Sequence, residues 1–224
     1  MAEKVKSIYV QRLDEIQRQV HKSCLKPNGF VKKGRTHCRK TDDGLYQVVD
    51  FQIGQSYRDD TDKFWVNVGV RVPEAFERSL DIVEEKDFYK EYECNIRTTL
   101  FKFVGVGNYK GYNNKYYSLE NENVSMLADE IISLINQYVF PMFSDLESRD
   151  KVLINRKKYL EVTDLFNNTI DLEFAMIYAR RGEMEKANEY INNQYQFGVA
   201  RKHKGHCEFV KEIADKLGLT IKEI

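Results

Sequence analysis

The chain of 224 residues is short of cysteine, proline and tryptophan, with 4, 3 and 1 respectively, and it has no net charge at all. Each shortage closes off a class of protein. The cysteines, Cys24, Cys38, Cys94 and Cys207, contain no CxxC pair, and a chain of this length can bury a core without cross-links, so a disulfide scaffold is not expected. The scarcity of proline excludes collagen-like and polyproline architectures. No stretch approaches the roughly 18 consecutive apolar residues of a spanning helix, so a membrane location is not expected. Met1 to Ser7 carries no apolar run of the kind found in a secretory leader, and a reducing cytoplasm is the expected setting. Thirty-five basic against 35 acidic residues argue against a nucleic-acid-binding module, which carries a basic excess.

What is present is an ordinary globular composition, 42% hydrophobic and 31% charged, with its charge segregated along the chain. Residues 1–40 hold 11 basic and 3 acidic residues, a net of +8, and residues 41–95 hold 6 and 14, a net of −8. Lys26, Lys32, Lys33, Arg35, Arg39 and Lys40 make the basic block a potential phosphate-binding patch. Pairing of the two blocks across neighbouring strands is the favoured explanation.

Hydrophobic periodicity assigns the elements. Val5, Ile8, Tyr9, Leu13, Ile16, Val20 and Cys24 recur at steps of three and four, predicting an amphipathic helix over 3–25 that ends at Pro27 and Gly29. Strands are predicted over 30–40 and 45–54, joined by a turn at Asp42-Asp43-Gly44, with Asp50 opposite Arg35, Thr36 or His37. In the third strand Phe64, Val66, Val68, Val70 and Val72 alternate with Trp65, Asn67, Gly69 and Arg71, so one face is core and the other polar. A fourth strand is expected to turn Cys94, Ile96, Thr98 and Leu100 inward. Its other face then carries Glu93, Asn95, Arg97 and Thr99. A Gly-, Asn- and Tyr-rich loop over 105–117 precedes a helix over 124–139 that Pro141 breaks or kinks. Beyond residue 150 only helical spacing remains, including a hairpin around Gly182 that resembles one tetratricopeptide-like unit. The predicted fold is α+β: a twisted antiparallel sheet of four or more strands packed on helices over 1–150, with an all-helical tail over 151–224 packed onto it.

The ordered set Asn28-Gly29-Phe30, Lys33-Gly34-Arg35, Val49-Asp50-Phe51-Gln52, Phe64 to Val70 and Cys94-Asn95-Ile96-Arg97 resembles the bacterial family catalogued as domain of unknown function 4304, over about residues 5–150. The resemblance implies a bacterial, cytoplasmic α+β protein. The family carries no established activity, so it implies no catalytic residue.

Recognisable chemistry is sparse. His203, His206 and Cys207 supply three ligand types in five residues, but a closed zinc site takes four and no second cluster provides the rest. Asp59-Asp60-Thr61-Asp62 lacks the glycine and distal glutamate of a calcium loop. Gly105-Val106-Gly107 lacks the Gly-Lys-Ser/Thr ending of a phosphate loop. His37 beside Cys38 would point to opposite sides of a strand, which does not make a thiol–base pair. No metal, cofactor or catalytic residue is therefore assigned.

The candidate binding surface is the second face of the sheet, presenting Asp50, Gln52, Trp65, Asn67, Arg71, Asn95 and Arg97, with Gly69 marking a place where a ligand or another backbone comes close. Tyr109, Tyr112, Tyr116 and Tyr117 form a second candidate in the aromatic loop, since tyrosine is favoured at interfaces. The expectation is a non-catalytic cytoplasmic binding protein whose partner is another protein, of the kind that neutralises a toxin. The alternative is a nucleotide- or phosphate-binding enzyme using Asp50, Arg71 and Arg97 on the same face. A flat tyrosine-rimmed patch favours the first; two arginines aimed at one point favour the second.

Overall fold

The computed structural model describes residues 7–54, 62–75, 86–104, 116–120, 123–163 and 170–222. The chain divides into two compact units: residues 1–71 with 87–163, and residues 72–86 with 164–224. The fold class is the predicted α+β.

In the first unit, α1 (Ile8–Val20) starts at an N-cap in which the Ser7 side chain accepts from the Val10 amide, satisfying one of the orphan donors of a helix start. Leu13, Ile16 and Val20 form its fully buried stripe, while Ile8, also predicted to lie on that stripe, is 54% exposed. The helix continues as a π-helical turn, His21–Leu25, and a 3-10 turn, Lys26–Asn28, before Gly29 takes a left-handed φ of 82°.

The segment predicted as one strand over 30–40 is two, β1 (Val31–Lys33) and β2 (Thr36–Lys40), folded on themselves at Gly34 and Arg35 with Lys33 opposite Thr36. A positive φ of 62° at Gly34 closes this two-residue loop. A run without a turn dipeptide conceals such a hairpin. β3 (Tyr46–Ile53) and β4 (Lys63–Arg71) follow, then β5 (Ile96–Thr99), and the antiparallel order is β1-β2-β3-β4-β5. β6 (Tyr117–Ser118), within the segment predicted as loop and helix approach, pairs with the start of β4. Leu100, expected in the fourth strand, begins the short helix α2 (Leu100–Val104).

The register fixes two faces. The first carries His37, Gln47, Val49, Phe51, Phe64, Val66, Val68, Val70, Ile96 and Thr98, all buried. α1 packs on β3 and on α3 (Val124–Leu134), which passes through a π turn, Ile135–Val139, into α4 (Phe140–Asp145). Pro141 sits in the first turn of α4, so the helical path changes pitch there and is not terminated. α5 (Arg149–Asn155) and a 3-10 turn to Tyr159 complete the unit.

In the second unit α6 (Ile170–Arg180), α7 (Met184–Ala200) and α8 (Lys204–Leu217) pack in sequence. Gly182, with φ 77°, turns α6 into α7 as predicted, and Tyr178 stacks on Tyr190 at 5.5 Å. At the α7–α8 crossing a Cβ on Gly198 would lie 2.8 Å from the Cys207 sulfur.

Candidate functional site

The second face begins with the other parity of each strand: Thr36 and Cys38 on β2, Tyr46, Val48, Asp50 and Gln52 on β3, Trp65, Asn67, Gly69 and Arg71 on β4, and Arg97 and Thr99 on β5. Alternation places these side chains together, but it says nothing about what lies above them. The structure divides the face in two.

One half is a second core. Cys38, Tyr46, Val48, Tyr89 and Cys94 form a buried apolar cluster with Phe88 against it. The segment before β5 supplies its roof: Tyr89 packs on Tyr46 at 4.6 Å, and Cys94 occupies the space over Gly69. A Cβ on Gly69 would stand 2.7 Å from the Cys94 sulfur and 2.8 Å from its Cβ. The glycine therefore admits a cysteine of the same chain, which answers the close approach that it signals in the sequence. Cys94 is correspondingly on the second face and outside β5, not inward on a fourth strand. Arg71 is buried at 1% exposure with its guanidinium 5.7 Å above the Tyr89 ring. Asn95 is buried as well. Neither belongs to an open face: the strand pattern assigns a side of the sheet, whereas the cover comes from a segment distant in sequence.

The other half is polar and partly accessible. Asp50 sits opposite Asn67, and its Oδ1 accepts a hydrogen bond from the Thr36 hydroxyl at 2.6 Å. Among the described residues its second oxygen has no hydrogen-bond partner. Burial raises the Asp50 pKa, opposed by the Thr36 bond and by the charges of Lys90 and Arg35. Asn67 donates to Gln52 Oε1 at 2.8 Å. Gln52 is exposed and Trp65 half-buried, with the Trp65 ring 6.2 Å from Tyr116 edge-on. Lys63 Nζ lies 4.5 Å over the same Tyr116 ring. Asp50, Gln52 and Trp65 thus lie together on this half; Asn67, expected on the open face, is buried beside them, as is Thr36, one of the three register alternatives for the residue opposite Asp50.

Arg97 is held in a fork by Glu91, Nε to Oε1 at 2.7 Å and Nη2 to Oε2 at 3.2 Å. Glu91 is positioned by the 3-10 turn Glu91–Glu93, a local geometry with no periodic signature. Two arginines converging on one ligand point are not formed. Tyr117, a candidate loop residue, is fully buried and stacks on Phe64 at 5.1 Å and Phe101 at 4.3 Å, so it is core. Tyr109 and Tyr112 lie outside the described residues, as do Asp59 to Thr61 and Gly105 to Gly111.

A pair of histidines completes the chemistry of the first unit. His37 is fully buried on the first face, its ring centroid 5.1 Å from that of His21 and 5.7 Å from Phe51. Among the described residues neither His37 nitrogen, nor Nδ1 of His21, has a hydrogen bond of ordinary geometry. Burial, then the neighbouring His21, push the His37 pKa down to about 3. Cys38, next in sequence, faces the opposite side, so the two do not form a thiol–base couple. In the second unit His206 Nε2 lies 2.8 Å from Gln194 Nε2, and His203 Nδ1 accepts from the His206 amide. Among the described residues no three His, Cys, Asp or Glu side chains group as metal ligands, and no helix is long and apolar enough to cross a membrane.

The chain matches the family described as domain of unknown function (DUF4304) over residues 21–145, more than half its length, and belongs to that family. No curated protein and no solved structure matches the chain. The matched segment runs from the π turn of His21 through the sheet to the end of α4, and so contains both halves of the second face.

Proposed function

We propose that the protein is a non-catalytic binding protein of the bacterial cytoplasm that recognises another protein through the polar half of the second sheet face. The observation that carries this reading is Asp50, a half-buried carboxylate with one oxygen on Thr36 and the other without a hydrogen-bond partner among the described residues. Its pKa is raised by burial, so the folded chain carries the charge at a cost. A partner presenting an ammonium, a guanidinium or an amide N–H would offset that cost. Trp65 beside it supplies flat aromatic area of a kind enriched at binding hot spots, and exposed Gln52 supplies an amide oriented by the buried Asn67, which donates to its Oε1. A toxin offering a basic side chain suits this face better than an acidic partner. The phosphate-binding enzyme alternative loses support, because Arg71 is buried beneath Tyr89 and Arg97 is committed to Glu91.

The test places a photo-crosslinking residue at exposed Gln52 in the source organism and compares it with the same residue at exposed Lys22. A discrete protein adduct formed only from position 52, and weakened by Asp50→Asn and by Trp65→Ala at unchanged folding midpoint, is expected. No adduct, or one that survives both substitutions, overturns the reading.

A further inference from the structure

Near the far end of β2 the basic block contains one arginine whose surroundings differ from those of Arg71 and Arg97. Arg39 faces the side of the sheet opposite Asp50 and borders a cavity of about 410 Å³ lined also by Asn28, Lys40, Asp42, Asp43, Glu147 and Ser148. Its position is fixed by neutral groups only. Gln47 is fully buried and donates from Nε2 to the Phe143 carbonyl at 2.7 Å, which leaves Oε1 to accept from Arg39 Nε at 2.7 Å. Arg39 Nη1 donates to the Asn28 carbonyl at 2.8 Å. The guanidinium lies 4.8 Å over the Phe30 ring and 5.9 Å from that of Phe140. Among the described residues no carboxylate stands within ion-pair distance of it. A guanidinium has five N–H donors, and these two bonds leave three, including both on Nη2, without an acceptor among the described residues.

The carboxylates around the cavity are mostly occupied. Asp43 accepts from the Arg149 amide at 2.6 Å and pairs with its guanidinium at 3.3 Å. Glu147 pairs with Lys151 at 2.6 Å. Asp42 is exposed and opposes an anion by its charge alone. A cation held in a fixed orientation by neutral acceptors and aromatic rings, at the wall of a polar cavity, is arranged for an oxyanion, since guanidinium donors are oriented for carboxylate and phosphate oxygens.

We propose that this cavity binds the oxyanion group of a small molecule, carboxylate or phosphate, on the outward donors of Arg39. The site is independent of the protein-binding face, being on the opposite side of the sheet, and neither reading requires the other. Binding uses no covalent step and no metal.

The experiment titrates the full-length protein separately with inorganic phosphate and with acetate at low ionic strength, following backbone amide shifts, and repeats both in Arg39→Gln and Asp42→Asn. A saturable one-site response centred on Asn28, Arg39 and Ser148 is expected with one of the two anions, and which one saturates distinguishes phosphate from carboxylate chemistry. Loss of a charged hydrogen-bonding partner weakens binding by roughly ten- to a hundredfold, so Arg39→Gln should abolish saturation. Asp42→Asn should strengthen it several-fold, because an exposed like charge near the anion is removed without touching the packing. That second variant keeps the test valid if Arg39→Gln destabilises the chain through the bond to Asn28. No saturable response to either anion, a response that survives Arg39→Gln, or one indifferent to Asp42→Asn overturns the proposal.

Discussion

His37 gives the sharpest prediction about stability. Its ring is fully buried against His21 and Phe51, with neither nitrogen in a hydrogen bond of ordinary geometry among the described residues, and burial outweighs the opposing backbone of Val49 to take its pKa from 6.5 to about 3. Above pH 6.5 the ring is neutral in both folded and unfolded chains. As the pH drops, the unfolded chain takes up a proton that the folded chain refuses until about pH 3, so stability is lost across that window. One pKa unit corresponds to about 1.4 kcal/mol, so the full window is worth on the order of 4–5 kcal/mol and the step from pH 7 to pH 5 about 2 kcal/mol. Against a typical total of roughly 5–15 kcal/mol this is a large share. Urea unfolding of wild type and of His37→Phe, each at pH 7 and pH 5, isolates the histidine together with its coupling to His21, because titrating groups away from this pair cancel in the comparison. Phenylalanine suits a site already edged by Phe51 at 5.7 Å. The variant should lose about 2 kcal/mol less than wild type on acidification; equal losses would refute the assignment of His37 as a neutral buried ring.

Gly69→Ala should destabilise by roughly 1–3 kcal/mol through overpacking, since its Cβ would stand 2.7 Å from the Cys94 sulfur, and Cys94→Ala should recover part of the loss in denaturant titration. Val68→Asp, at a position with no exposure, should cost several kcal/mol, about what burying an unpaired charge takes; an unchanged midpoint contradicts the core assignment. Thiol labelling of native protein should modify half-buried Cys207 first, whereas Cys24, Cys38 and Cys94 are buried with raised pKa values and should react only at the unfolding rate. Asp50→Asn should leave stability unchanged or raised near pH 7: burial holds the folded carboxyl's pKa above its unfolded value, so the charged form loses stability as pH rises through the folded pKa.

Strict alternation from Phe64 to Arg71 specified the two faces of β4, and the same reasoning located Val49, Phe51 and Ile53 across from it. The helices were legible from steps of three and four, and Gly182 marked the turn between α6 and α7. Tertiary cover was not legible. Tyr89 and Cys94 roof half of the second face from a segment whose sequence has neither helical nor strand period, so Arg71 and Asn95 looked accessible. The turn at Gly34 and Arg35 was hidden for a related reason: Gly34 supplies a positive φ, yet the flanking residues read as one continuous run. Glu91 meets Arg97 through a 3-10 turn six residues away, a spacing that no regular element brings together.

Arg71, Arg97 and Arg39 meet three different fates. Arg97 is neutralised by a fork of two hydrogen bonds to Glu91, and Arg71 is enclosed with Tyr46, Tyr89 and Cys94, its charge withdrawn from the surface. The polar half of the second face carries the Asp50 carboxylate, the exposed Gln52 amide over buried Asn67, and the Trp65 indole, with Lys63 beside Tyr116 at its edge. Arg39, in contrast, leans on two carbonyl oxygens, one from Gln47 and one from Asn28, which orient it without neutralising it; the carboxylate whose charge reaches it, Glu147, is itself paired with Lys151. A bond to a neutral acceptor satisfies one donor without reducing the field beyond it, whereas a carboxylate in contact cancels that field within a few ångströms. If both proposed sites bind, acidic and basic ligands are sorted to opposite sides of one sheet, and a single substitution on either side, Asp50→Asn or Arg39→Gln, should weaken one class of binding while leaving the other intact.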